Sequence, residues 1–290
     1  MMSFSRSLAA GVALALAAGP MHAQARKTAK PATPLAPFDA YVAKVMSEWK
    51  VPGIAIAIVK DDSVILSKGY GVQRVGDPAT VNENTIFAIG SSSKAFTAAL
   101  VAMAVDEGKM RFDDRVTKHL PGLQLNDNYA THDLTMRDAL SHRSGLARGD
   151  LMWYLGGFSR DEILRRVRYL KPDWGFRALF GYQNLMYLAA GEATARVQGM
   201  SWDDQVRTKI FAPLGMTSSS TSITAIDGKP NVSAPHAEAD AAVIAIPWKN
   251  IDNIAPAGSI NSNVVDMAQW VRFQLQHGKA GGKQLISEGN

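Results

Sequence analysis

Cysteine is absent from the 290 residues. That excludes a disulfide scaffold, a cysteine-ligated metal and a thiol nucleophile. Charge of one sign is nearly absent as an excess: 31 Lys and Arg stand against 26 Asp and Glu, a net of +5. So small a surplus gives no argument for a nucleic-acid partner. Long hydrophobic runs are scarce too. After Leu8–Ala18, no segment approaches membrane-spanning length. Low hydrophobicity, the mark of intrinsic disorder, is also missing, since 47% of the residues are hydrophobic. One large domain or two intimate lobes can be built, with ample apolar surface for a core.

The first residues read as an export signal. Arg6 precedes the uncharged run Leu8–Ala18, Gly19 and Pro20 break it, and Ala23-Gln24-Ala25 has the small-x-small pattern of a cleavage site. Residues 1–25 are therefore expected to be a signal peptide, leaving a secreted or periplasmic protein with no stable membrane span. Residues 26–37 carry Pro31, Pro34 and Pro37 and are expected to form an extended tether.

Phe38, Tyr41, Val42, Val45, Met46 and Trp49 fall at helical spacing, so the pattern predicts a helix over 38–49. The β-rich runs Ile54–Val59 and Val64–Gly71, separated by Lys60-Asp61-Asp62-Ser63, predict an antiparallel hairpin. Gly69, Gly71 and Gly76 have the wrong spacing for a phosphate loop and read as strand-end and turn residues. From Ser91 onward helix signals dominate. Thr135 with Asp138, Ser159 with Glu162 and Ser201 with Asp204 resemble capping boxes, and Asn263 with Asp266 has related spacing. The five basic residues of 160–171 read as a solvated helix face.

The chemistry centres on Phe87-Ala88-Ile89-Gly90-Ser91-Ser92-Ser93-Lys94. Ser91 and Lys94 are three apart at a helix start, so both side chains share one face. A serine hydroxyl needs a nearby base to become a nucleophile. A lysine serves as that base when burial lowers its pKa, and the apolar Ala95, Phe96, Ala98, Ala99 and Leu100 fit such burial. The helix N-terminus favours an anionic seryl oxygen. An N-cap serine beside an exposed lysine gives the same four letters, and Ser92 or Ser93 could be the cap. A second piece, Tyr182-Gln183-Asn184, opens a helix running to about Gly199. A tyrosine hydroxyl beside an ammonium loses its proton more easily and can relay one. An asparagine can hold a lysine or a substrate carbonyl.

With these residues in place, the chain resembles the class C β-lactamase-related serine hydrolases of the serine β-lactamase and D,D-peptidase superfamily. The similarity runs from about Val51 to the C-terminus. It is carried by Val51-Pro52-Gly53 and the hairpin, Phe87–Thr97, Glu107-Gly108-Lys109, Asp113-Asp114 and Leu134–Leu146. Tyr182-x-Asn184, Pro213–Met216 and Ala257-Gly258-Ser259 follow in the family's order. The resemblance implies an α/β (α+β) fold of β-lactamase/transpeptidase-like type. An antiparallel-sheet lobe (38–95 and about 250–290) would pair with an all-α lobe (about 96–249), the site lying between them. It implies Ser91 as the acylated nucleophile, Lys94 as proton acceptor and Tyr182 as proton shuttle. Asn184 would orient Lys94 and the substrate amide, and the Ser91 N–H would form half of an oxyanion hole. His142 is a structural loop residue in this pattern. No cofactor is implied, and the six histidines show no zinc-site spacing.

One departure stands out. The family's third motif, Lys-Thr-Gly or His-x-Gly, lies on a strand after the helix that here begins near Val264. The sequence ends at Asn290 first, and Lys279-Ala280-Gly281 falls where a turn is expected. The expectation is a C-terminally truncated domain lacking sheet strands, and poorly active beside an extended version. The implied substrate is a small molecule or peptide: a peptidoglycan stem peptide, a β-lactam or an ester. Three readings stay open: a β-lactamase or D,D-peptidase-like amide hydrolase, a carboxylesterase on the same site, and a catalytically impaired binding homologue.

Overall fold

A computed structural model describes Leu35 and residues 37–290. The expected signal peptide, and the tether apart from Leu35 and Pro37, lie outside the described residues. The chain divides into two units, residues 1–41 and 42–290. The first long helix, Phe38–Glu48, buries only Val42 fully. Tyr41 and Trp49, which the spacing placed on its apolar face, stay exposed. Trp49 lies past the last helical residue, and Tyr41 is about 100° around the helix from Val42.

β1 (Gly53–Lys60) and β2 (Ser63–Gly71) form the expected hairpin, paired from Gly53↔Gly71 to Lys60↔Ser63 with a register shift between Ile58 and Val59. Its turn needs two residues with positive φ to match the twist of the strands. Asp61 (φ 48°) and Asp62 (φ 61°) supply them. The helix Val264–Leu275 packs on both strands, and Arg272 reaches Asp62 at the turn with bonds of 2.7 and 3.1 Å. Three shorter antiparallel ladders pair Phe87–Ala88 with Asn261–Ser262, His236–Ala239 with Ala242–Ala245, and Lys279–Ala280 with Lys283–Gln284. Lys279-Ala280-Gly281 thus enters a two-residue hairpin turn directly after the Val264 helix.

Helix starts follow local chemistry. Thr135 and Asp138 form a reciprocal capping box. Ser159, Ser201 and Asn263 each accept the backbone N–H three residues on. In the basic stretch, Arg165 and Arg166 pair with Glu162 at the surface. Arg160 departs from the expected solvated face. It turns inward to Glu192 and Asp203, which compensate its burial.

The helix that follows Ser91, Ser93–Asp106, organises the interior. One face, with Val101 and Ala104, joins a helical core that includes Met136, Ile163, Leu185 and Leu188. The other, with Phe96 and Leu100, packs against Trp202, Ile210, Phe211 and Trp270. Phe96 stacks on Trp270 with ring centroids 4.0 Å apart. A helix buried on both faces is fixed in rotation, which fixes what its first turn presents.

At the far end of that helix, Glu107 binds Lys209 and Lys109 and accepts from Gln198. Burial raises its pKa, but these cations and the amide outweigh it and hold the carboxyl at about 2. A depressed carboxylate stabilises the fold above its unfolded value and loses that effect as pH falls through the folded one. Acid titration of the thermal midpoint between pH 4.5 and 2 is therefore expected to fall less steeply in Glu107→Gln than in the parent. Identical slopes would show that the cluster contributes nothing.

Candidate active site

Ser91 lies in a single 3₁₀ turn, Gly90–Ser92, which feeds directly into the helix Ser93–Asp106. The three serines separate by role. Ser92 makes no capping bond. Ser93 is buried and accepts the N–H of Ile260 at 3.1 Å. Ser91 is exposed. Its Oγ accepts from Lys94 Nζ at 3.1 Å and from the Tyr182 hydroxyl at 2.6 Å.

Lys94 is buried, and its Nζ also donates to the Ala257 carbonyl at 2.7 Å. Ala257 belongs to the short helix Ala255–Gly258. That helix and Ile260 just beyond it are tied to the Ser91 segment by Thr97 Oγ1 donating to Pro256 O and by Ile89 N–H donating to Ile260 O. The Tyr182 ring lies 4.7 Å from the Lys94 nitrogen. Burial drives the Lys94 pKa below the ordinary lysine value, the nearby Arg148 charge assists, and Tyr182 and Asp150 oppose. For Tyr182, burial pushes upward. Its bonds with Lys94 and Ser91, and the charges of Lys94 and Arg148, outweigh this and bring the phenol below its usual value.

Tyr182 arrives on a loop that packing fixes. Arg177 on that loop binds Asp138 through two nitrogens at 2.9 and 2.6 Å, and its N–H donates to Arg143 O. Gly181 N–H donates to His142 O. His142 Nδ1 accepts the Gln183 N–H at 2.9 Å, and its ring lies 4.6 Å from the Tyr182 ring. Burial and the Lys94 charge lower the His142 pKa, so a neutral imidazole braces the phenol. Gln183, fully buried, caps the helix Asn184–Gln198 and donates to the carbonyls of Leu146 and Ala147.

The structure therefore brings Ser91, Lys94 and Tyr182 together. Asn184 has a different partner: its Nδ2 donates to Asp150 Oδ1 at 2.9 Å, and it makes no hydrogen bond to Lys94. Three participants carry no sequence signal of their own. The Ala257 carbonyl is backbone, and Arg148 and Asp150 occupy a loop after Gly145-Leu146 with no fixed spacing to any motif. Among the described residues, no group of three or more His, Asp or Glu is placed to hold a metal. Nor is any helix among them long and apolar enough to cross a membrane.

Comparison with known proteins matches this chain to a family. The family model described as Beta-lactamase matches residues 38–289. An unguisins hydrolase of Aspergillus campestris is 31% identical over 259 residues, covering 82% of this chain and 47% of that protein. Penicillin-binding protein 4 of Amycolatopsis lactamdurans is 34% identical over 188 residues, 63% of this chain and 47% of its own length. The chain thus spans about half the length of these curated relatives. Among solved structures, the octameric penicillin-binding protein homologue from Pyrococcus abyssi superposes with a TM-score of 0.75 at 25% identity, over 87% of this chain and 57% of that one. FmtA from Staphylococcus aureus shares the fold, with a TM-score of 0.71 at 22% identity over 87% of this chain and 68% of that one. The chain has the β-lactamase/transpeptidase-like fold and belongs to the Beta-lactamase family of the serine β-lactamase superfamily.

Proposed function

We propose that this protein is an exported serine hydrolase of the class C-related type, cleaving an amide, lactam or ester through an acyl-enzyme on Ser91. The observation that carries the reading is the convergence of Lys94 Nζ and Tyr182 OH on one oxygen, Ser91 Oγ. Ser91 Oγ attacks the carbonyl carbon, and its proton passes to the unprotonated Lys94 or through Tyr182. The carbonyl becomes an oxyanion held by the Ser91 N–H and the positive end of the helix. As the intermediate collapses, Tyr182 returns the proton to the leaving nitrogen or oxygen. Water, losing its proton to the same pair, then frees the acyl group and restores the serine.

The reaction needs the Lys94–Tyr182 pair short of one proton, and the two groups titrate as a unit. Burial lowers Lys94, so acylation should be lost as pH falls through a value below the ordinary lysine range. The test is fluorescent penicillin and a fluorophosphonate, with the labelled residue mapped by mass spectrometry across pH. Label on Ser91 with an acid limb below the 10.5 of an ordinary lysine is expected. Label elsewhere, or none, would overturn the proposal.

A specific observation favours the carboxylesterase alternative. Leu151, Leu155, Leu179 and Phe180, which flank Asp150 and Tyr182 in sequence, are exposed apolar side chains. An apolar acyl chain would cover such surface. A chromogenic cephalosporin set against a short-chain nitrophenyl ester separates the two by relative kcat/KM.

A further inference from the structure

Arg148 takes no part in the proton transfers above, yet the loop is built to hold it. Gly149 adopts φ +64°, and a Cβ there would meet Leu170 Cδ1 at 2.6 Å and Leu185 Cδ1 at 3.2 Å. The left-handed turn lets neighbours on either side meet: Arg148 Nε donates to Asp150 Oδ2. Asp150 is fixed in turn, its Oδ1 accepting from Trp153 Nε1 and Asn184 Nδ2, each at 2.9 Å. The guanidinium carbon then lies 5.1 Å from the centroid of the Tyr182 ring, whose hydroxyl touches Ser91. The two terminal nitrogens of Arg148 make no hydrogen bond among the described residues, and the side chain is 60% exposed. A cation is thus clamped at one end and open at the other, one phenol ring from the nucleophile.

We propose that Arg148 is a specificity-determining residue that binds a free carboxylate of the substrate, placed close to the scissile carbonyl, through its two terminal N–H groups. The assignment rests on Ser91 being the acylated nucleophile. A planar guanidinium matches a carboxylate with two parallel bonds, and clamping Nε reduces the rotamer entropy lost on binding. Lys94 is not available for the task, being buried and bonded to Ala257 O and Ser91. Asp150 already balances the charge on Arg148, so a singly charged carboxylate suits the site. A phosphate dianion would face the repulsion of Asp150.

Two esters with one acyl chain and one leaving group test this: 4-nitrophenyl hydrogen succinate and its neutral methyl ester, each corrected for the enzyme-free rate. The measured quantity is the ratio of kcat/KM, anionic over neutral, which cancels any general loss of fold or of Ser91 reactivity. In Arg148→Gln the ratio should fall about tenfold, mainly through KM, as expected for one hydrogen-bonded charge. Arg148→Lys should keep part of it. Ser91 labelled in the parent with an unmoved ratio in Arg148→Gln would overturn the assignment to Arg148 alone. No acylation of Ser91 by either ester or by the fluorophosphonate would overturn the acyl-enzyme reading, and this proposal with it.

Discussion

Lys94→Met should abolish acylation of Ser91, slowing it by about 10³-fold or more, while the fold survives. The loss is expected because a general base supplies about 10²–10⁴ in rate, and Lys94 is the amine in contact with Ser91 Oγ. The remaining partner, Tyr182, would lose the ammonium contact that helps lower its own pKa. Stability should move the other way. Lys94 is buried and its pKa is lowered, so the unfolded chain binds the extra proton more readily than the folded one. Its contribution to stability therefore rises with pH between the folded and the ordinary lysine values, and near neutral pH it is unfavourable. Met occupies similar volume without a charge to desolvate. The Ala257 carbonyl loses its donor, which offsets part of the gain. The thermal midpoint at pH 7 should not fall, and any excess over the parent should shrink as pH rises. Timed fluorophosphonate labelling with a melting curve on the same sample checks both halves. Labelling at the parent rate would remove Lys94 from the mechanism.

Trp202→Ala should be the most damaging substitution for the fold, lowering stability by about 3–5 kcal/mol, the range for a fully buried large aromatic. Domains have about 5–15 kcal/mol in total, so a fifth or more of the margin is at stake. For a chain of this size, that corresponds to a fall in Tm of roughly 6–20 °C. Trp202 is 0% exposed and sits where three segments meet. Its Nε1 donates to Thr97 Oγ1 at 2.9 Å on the helix Ser93–Asp106, and that hydroxyl donates to Pro256 O at 2.7 Å. Gly191 on the Asn184 helix has no room for a Cβ, which would lie 2.5 Å from Pro256 and 3.1 Å from the indole. Removing the indole empties the space that sets Pro256, and hence the Ala257 carbonyl, against Lys94. Acylation should weaken along with the fold. Trp202→Phe keeps most of the volume but drops the donor, and should cost on the order of 1 kcal/mol more than a repacking without hydrogen-bond loss. Chemical denaturation of both variants decides the matter, and a Trp202→Ala midpoint equal to the parent's would contradict it.

Local chemistry made part of this protein readable from its residues. The hairpin of Gly53–Gly71 follows from two β-rich runs and a turn whose aspartates tolerate positive φ. The Ser91–Lys94 contact follows from three-residue spacing at a helix start. The capping serines, Thr135 and Asn263 were legible for the same reason, since each bond closes within one turn. These features depend on neighbours in the chain, and backbone sterics admit few alternatives over so short a span. Tyr182 was legible only through its motif.

Tertiary packing settled what lies far apart. The Tyr182 hydroxyl reaches Ser91 across 91 residues, and the Ala257 carbonyl reaches Lys94 across 163. Asn184 was expected to hold Lys94, but the Gly149 turn presents its amide N–H with the Asp150 carboxylate instead. Arg160, expected in solvent, found Glu192 and Asp203 inside. In every such case the partner was chosen by which surfaces were buried together. That choice is a property of the whole core, and no spacing along the chain encodes it.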